Sequence, residues 1–112
     1  MIKIFISQPM NGLSLEEIVN VRKEYEAKIA KIIPNQFTII DNLQANMDYI
    51  AGAKTHPRLY YLGGSIQLMS EADCLVMVNG WKNSPGCNIE VDIANKYGIS
   101  VIYDLNDLLK LI

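Results

Sequence analysis

The most constraining feature of this chain is an uninterrupted run of apolar residues at positions 74–78, Cys-Leu-Val-Met-Val. Such a run indicates a strand whose two faces are both buried. Strands of that kind are typical of parallel sheets, which helices cover on both sides. A turn-rich loop follows the run and opens a helical pattern, which gives a strand–loop–helix unit. The run therefore predicts an α/β fold.

Strand and helix patterns alternate along the whole chain, without a linker or an internal repeat. The predicted strands are residues 1–7, 37–40, 74–78 and 99–103. This alternation predicts a single three-layer domain over residues 1–112, Rossmann-like or flavodoxin-like, with four or five parallel strands and right-handed crossovers. The expected strand order is 2-1-3-4, with a ligand crevice at the switch point between strands one and three.

The helices are predicted from apolar spacing and from their end signals. They cover residues 14–33, residues 58–72, the segment from the loop before Glu90 to residue 97, and a short terminal stretch after residue 104. Ser14 and Glu17 form a capping-box pattern at the start of the first helix. In the second, Gly63 and Gly64 favour close packing or a kink. Residues 41–57 are weakly patterned, and they predict a loop with one helical turn, typical of a lid or a partner-facing segment.

Composition narrows the functional classes. The chain has 112 residues, half of them hydrophobic, enough for one small core. Ten basic and twelve acidic residues give a net charge of −2, and no basic patch favours nucleic acid. No export signal or membrane-spanning segment is recognised, so the predicted location is the cytoplasm. Cys74 and Cys87 have a spacing that suits neither a zinc site nor a redox pair, so no metal or cofactor is predicted.

Glu90 is the residue at which we expect chemistry. It follows the apolar strand by a turn-rich loop, so it should lie near the carboxyl end of that strand, where open α/β sheets bind ligands. The dipole of the nearby helix N-terminus would keep it ionised, as a nucleophile or as a clamp for ligand hydroxyls. The alternative is an ordinary acidic residue of a first helical turn.

Other residues near the predicted crevice also have two interpretations. Asn11 and Gly12 could offer backbone N–H groups to a phosphate or sugar, or form an ordinary turn. Trp81 could stack on a base or line a dimer contact. Arg22 could reach the crevice, although a solvated helix charge is the more frequent outcome. Asp41, at the end of the second strand, faces the crevice side.

Two stretches resemble a known family. Ser84-Pro-Gly-Cys-Asn-Ile-Glu90, with Ala94 and Gly98, resembles the Ser/Gly-x-x-x-Glu-x-x-x-Ala-x-x-x-Gly pattern of the nucleoside 2-deoxyribosyltransferase superfamily, which includes nucleoside 5′-monophosphate N-glycosidases. Residues 4–12 resemble that family's first strand and the loop facing phosphate or sugar. The sequences Ser-Gln-Pro-Met-Asn-Gly and Gly-Trp-x-x-Ser-x-Gly-Cys within and before these stretches are most similar to a small branch of the family found in phage and bacterial genomes.

The resemblance implies Glu90 as the nucleophile, Ser84 as a phosphate contact and a homodimer or higher homo-oligomer with sites built across subunits. Together with the residues near the predicted crevice, the resemblance gives these candidate ligand-binding residues: Ser7, Gln8, Met10, Asn11, Gly12, Asp41, Ser65, Trp81, Ser84 and Gly86. The chain departs from the family pattern at two positions. Ser65 stands where the family carries an aspartate, and Ile4 where it carries an active-site tyrosine.

The sequence therefore leaves two functions open. The first is cleavage or transfer of an N-glycosidic bond of a nucleoside or nucleotide by Glu90. The second is a non-catalytic module that binds a nucleotide or nucleotide sugar for sensing or sequestration. A second ionisable group beside Glu90 would distinguish them. A purely structural interaction protein is a more distant third reading, since the loop from Ser84 to Glu90 is more elaborate than packing requires.

Overall fold

The computed structural model describes residues 1–43 and 55–112, and at its centre lies a four-stranded parallel sheet. The strands are β1 (Ile2–Ser7), β2 (Phe37–Ile39), β3 (Cys74–Met77) and β4 (Ser100–Ile102). Their order is β2-β1-β3-β4, and every neighbouring pair is parallel. The α/β class and the strand order predicted from the sequence are confirmed, with four rather than five strands in the described part of the chain.

Helices cover both faces of the sheet. They are α1 (Leu15–Ile32), α2 (Pro57–Met69) and α3 (Pro85–Tyr97), with short 3-10 segments at Trp81–Asn83 and Leu105–Leu111. One core cluster joins the sheet to α1 and the last 3-10 segment: Ile4, Ile6, Ile29, Ile33, Cys74, Val76, Val78, Ile102 and Leu108. The other joins it to α2 and α3: Phe5, Met69, Leu75, Met77, Cys87, Val91 and Ala94. Consecutive residues of β1 thus serve opposite faces, which confirms the three-layer architecture.

Helix α1 begins at the predicted capping box. The backbone N–H of Glu17 donates to Ser14 Oγ at 3.1 Å, and the backbone N–H of Ser14 donates to Glu17 Oε1 at 3.2 Å. Two backbone donors that the helix leaves free are thereby paired. Among the helices that the structure describes, none is long and apolar enough to cross a lipid bilayer.

Helix α2 is continuous through both of its glycines. A Cβ atom built at Gly63 would meet nothing within 4 Å, so close packing does not explain that glycine. The weakly patterned segment predicted as a loop, residues 41–57, falls largely on residues 44–54, which lie outside the described residues.

The topology creates a crevice at one edge of the sheet. β1 and β3 are neighbours, but the chain leaves β1 for α1 on one face and leaves β3 for α3 on the other. The two connections diverge beyond the carboxyl ends of the strands, and the gap between them is the usual ligand site of such sheets.

Two glycine substitutions should change stability in opposite directions. Gly98 caps α3 with φ of 76°, where a Cβ is strained, so Gly98→Ala should cost about 1 kcal/mol. Gly63 lies inside α2 with open space around it, so Gly63→Ala should add up to about 1 kcal/mol. Urea unfolding of both variants checks this, and a change of the same sign in both would contradict the described backbone.

Candidate functional site

Glu90 projects from α3 onto the carboxyl end of β1. The Ser7 hydroxyl donates a hydrogen bond of 2.6 Å to Glu90 Oε1. Ser7 is the last residue of β1, and it pairs with Met77, the last residue of β3. Glu90 therefore lies at the crevice between these two strands, where only 6% of its surface is exposed.

Burial raises the pKa of Glu90 to about 7, while the hydrogen bond from Ser7 and the charge of Arg22 lower it less. The expectation that the helix dipole keeps this carboxyl ionised is wrong. Because α3 begins at Pro85, Glu90 is its sixth residue and lies beyond the first turn, where the dipole acts. Near neutral pH both the protonated and the charged form of the carboxyl group are therefore populated.

A second polar arrangement ties α1 to the same end of β1. Gln8 Nε2 donates to the Ile18 carbonyl at 3.0 Å, and Gln8 Oε1 accepts from Arg22 Nε at 3.0 Å. Arg22 Nη2 also donates to the Ile6 carbonyl at 3.4 Å. Arg22 is 7% exposed, so the solvated-charge alternative is wrong for this residue. Its Nη1 has no hydrogen-bond partner among the described residues, and burial lowers the pKa of the guanidinium.

A cavity of about 610 Å³ lies beside Glu90, between the N-terminal ends of the three helices. Its volume is within the range of small-molecule sites. Much of the wall is apolar: Ile6, Leu15, Ile18, Leu43, Leu59, Leu62 and Ile89. Six residues predicted from the sequence contribute to it: Gln8, Met10, Asn11, Ser84, Gly86 and Glu90. Glu90 is the one carboxylate among the described residues that line the cavity.

Four other predicted residues lie off the cavity wall. Ser7 contacts Glu90 from the strand. Gly12 lies in an exposed turn with φ of 77°. Asp41 is exposed, and its Oδ1 accepts from the backbone N–H of Leu43 at 3.1 Å. Ser65 is fully buried within α2. For Gly12, the turn geometry agrees with the ordinary-turn alternative.

Trp81 also lies away from the cavity wall. Its ring packs at a tilt on Tyr103, with 5.5 Å between the ring centroids. Its loop is held by Asn88, a residue that sequence reasoning did not single out. Asn88 Nδ2 lies 2.8 to 3.3 Å from three carbonyl oxygens, those of Trp81, Lys82 and Ser84. The loop before α3 is thus shaped by an amide inside that helix.

Ser84 has a structural role that the sequence did not reveal. It is the N-cap of α3, and its Oγ accepts from the backbone N–H of Cys87 at 3.3 Å. Burial raises the pKa of the Cys87 thiol, which keeps it neutral. Cys87 also packs in the core, where a neutral thiol acts as a small apolar group.

Tyr61 and Asn42 were missed, although both line the cavity. Asn42 Nδ2 donates to the Tyr61 hydroxyl at 3.5 Å. Burial raises the pKa of Tyr61 to about 12, and the charge of Glu90 adds to this effect. The available signal was the position of Tyr61 one helical turn before Ser65, which places two hydroxyls on one face of α2.

Comparison with known proteins gives a family without an assigned activity. A family model described as a domain of unknown function, DUF4406, matches residues 2–103. The chain belongs to this family. No curated protein and no solved structure matches the chain. Within residues 1–43 and 55–112, no three His, Cys, Asp or Glu side chains are grouped to hold a metal ion.

Glu90→Gln should stabilise the protein more at alkaline than at acidic pH. The pKa of Glu90 is about 7 in the folded chain, against an ordinary value of 4.5. Below about pH 4.5 the carboxyl group is neutral in both the folded and the unfolded chain, so its burial has no ionisation cost there and the stability is at its full value. As pH rises through the folded-state pKa, up to about 3 kcal/mol of stability is lost. Glutamine removes this loss.

Urea unfolding near pH 4 and pH 8 measures the effect. The stability difference between Glu90→Gln and wild type should grow by up to about 3 kcal/mol between these conditions. Glu71→Gln, which removes an exposed carboxylate, is the control and should change stability by less than about 0.5 kcal/mol at either pH. A difference for Glu90→Gln that is the same at both pH values would contradict the raised pKa.

Proposed function

We propose that this protein binds a nucleoside or nucleotide in the cavity and cleaves or transfers its N-glycosidic bond, with Glu90 as the nucleophile. One observation carries the proposal: a buried carboxyl group, held by Ser7 at 2.6 Å, faces a cavity of about 610 Å³. The resemblance of residues 84–98 to the nucleoside 2-deoxyribosyltransferase superfamily suggests which bond is broken.

The proposed reaction uses the charged form of Glu90. A carboxylate oxygen attacks the anomeric carbon, the new C–O bond forms as the C–N bond breaks, and the base leaves with the bonding pair and takes up a proton. Water then hydrolyses the glycosyl ester, or a second base attacks it, and Glu90 is restored. Positive charge develops on the sugar, and the low dielectric around Glu90 strengthens its attraction to the carboxylate.

The cavity wall suggests where each part of the ligand would bind. We assign the base to the apolar side, which includes Leu15, Ile18 and Leu62. Ser84 and Gly86, at the N-terminus of α3, would contact a phosphate or the sugar. Trp81 is left out of the base site, because its ring packs on Tyr103 instead.

A second candidate is a non-catalytic module for a nucleotide or nucleotide sugar. It is favoured by the single carboxylate that the described residues contribute to the cavity. Where the nucleoside 2-deoxyribosyltransferase superfamily carries a second acid, this chain has Ser65, which is buried in α2 and does not line the cavity. On this alternative the pocket would bind its ligand without breaking a bond.

Glu90→Gln should reduce base release by at least about a hundredfold and leave ligand binding largely intact. The amide keeps the shape of the side chain but cannot become a carboxylate. Glu90→Ala should lose both activity and the sugar contact. The measurement is chromatography of free base over a panel of nucleosides and nucleoside monophosphates, with calorimetry for binding. Because the pKa of Glu90 is about 7, kcat/KM should rise with pH up to about that value and then level.

Asp92→Asn is the matched control, because it removes an exposed carboxylate from the same helix. It should leave base release unchanged. Release by Glu90→Gln at the wild-type rate would refute the nucleophile assignment. Binding by wild type without any release would favour the non-catalytic module.

We also propose a symmetric homo-oligomer that covers the mouth of the cavity. Leu15, Leu59 and Ile89 line the cavity but are exposed by 49%, 64% and 43%. A partner subunit seated there would bury apolar surface and enclose the ligand. Sedimentation at tens of micromolar should give a dimer or larger species, since a Kd of about 1 μM leaves mostly dimer. Leu59→Glu should weaken association, Leu109→Glu should not, and a wild-type monomer would contradict the proposal.

A further inference from the structure

Tyr61 brings a second hydroxyl to the cavity that Glu90 lines. It projects from α2, on the same side of the sheet as α3. Its phenol is partly buried, and it is close enough to both Glu90 and Arg22 for their charges to change its pKa. Two helices thus place a neutral O–H group and a carboxyl group on one cavity wall.

One hydrogen-bond donor is observed beside the Tyr61 oxygen. Asn42 Nδ2 donates to it at 3.5 Å. Ser65 Oγ, one turn further along α2, has no hydrogen-bond partner among the described residues. The positive charge of Arg22 lowers the pKa of the phenol, against the larger effect of burial. A phenol has one proton to donate and an oxygen that accepts. With Asn42 donating to the oxygen, the proton of Tyr61 remains available to an acceptor in the cavity.

We infer that Tyr61 is a ligand-binding residue of this site, whose hydroxyl donates a hydrogen bond to an oxygen of the sugar that Glu90 faces. This inference rests on the proposed function, since it takes the ligand to contain a sugar. It also identifies a polar group on the cavity wall that Glu90 lines, whereas this chain has Ile4 and Ser65 where the nucleoside 2-deoxyribosyltransferase pattern has a tyrosine and an aspartate. Tyr61 would supply that group from a different helix.

The role is hydrogen bonding rather than proton transfer. Burial raises the pKa of Tyr61 to about 12, so the phenol keeps its proton at any ordinary working pH. Such a group holds a sugar oxygen in place without exchanging charge with it. Positioning of the sugar would bring its anomeric carbon against the Glu90 carboxylate.

Tyr61→Phe tests the inference, because it removes the hydroxyl and keeps the ring. Two probes separate its effects: ribose 5-phosphate, which has the sugar but no base, and adenine, which has a base but no sugar. The variant should bind ribose 5-phosphate about five- to tenfold more weakly and adenine as wild type does. Tyr60→Phe is the matched control, since Tyr60 is its exposed neighbour on α2, is not part of the cavity wall, and should leave both affinities unchanged.

The outcomes separate this inference from the proposed reaction. Unchanged affinity of Tyr61→Phe for ribose 5-phosphate overturns the role of Tyr61, even where wild type releases base. Equal weakening for both probes also overturns it, because that result indicates general damage to the pocket. Selective weakening for the sugar probe supports it, even where no base is released and the catalytic proposal fails. Absence of ribose 5-phosphate and adenine binding by wild type overturns this inference and the assignment of the cavity together.

Discussion

The hydrogen bond from Ser7 to Glu90 is the interaction on which the site depends. It joins the last residue of β1 to the middle of α3 and holds a carboxyl group that burial makes costly to ionise. A buried carboxyl without such a partner would be driven still further toward its neutral form. The one bond therefore fixes the position of the carboxyl and part of its acidity.

The end of β1 is where the two faces of the fold are tied together. Ser7 binds α3, while its neighbour Gln8 and the Ile6 carbonyl bind α1 through Arg22. The two core clusters that cover the faces of the sheet consist of apolar side chains. Polar contacts are thus concentrated at the strand ends, where they border the cavity, and this is the usual compromise between a stable core and a chemically useful site.

The fold was largely predictable because its signals are local. The apolar run at residues 74–78 and the capping box at Ser14 each report on their own segment, and the alternation of strands and helices predicts a parallel sheet. The observed strand order is the one expected of a doubly wound sheet of this class. The position of Glu90 beside the switch point followed from the same pattern. Its pKa did not, since that depends on which groups the folded chain packs around it.

The residues that sequence reasoning misplaced are those whose environment is set by distant contacts. The buried Arg22 donates a hydrogen bond to Gln8, 14 positions earlier in the chain. The ring of Trp81 packs on Tyr103, 22 positions later. Tyr61 gave only a weak local signal. No pattern within α2 tells which of its faces meets a cavity formed by three other segments.

The Ser7–Glu90 hydrogen bond depends on the assembly of the whole fold, because its partners are 83 positions apart in the chain. Closing a segment of that length has an entropy cost that one hydrogen bond does not repay, so the contact depends on the packing of the whole domain. The carboxyl enters its low-dielectric surroundings only when β1, β3 and α3 have docked. The raised pKa of a single glutamate therefore reports on the docking of these three elements.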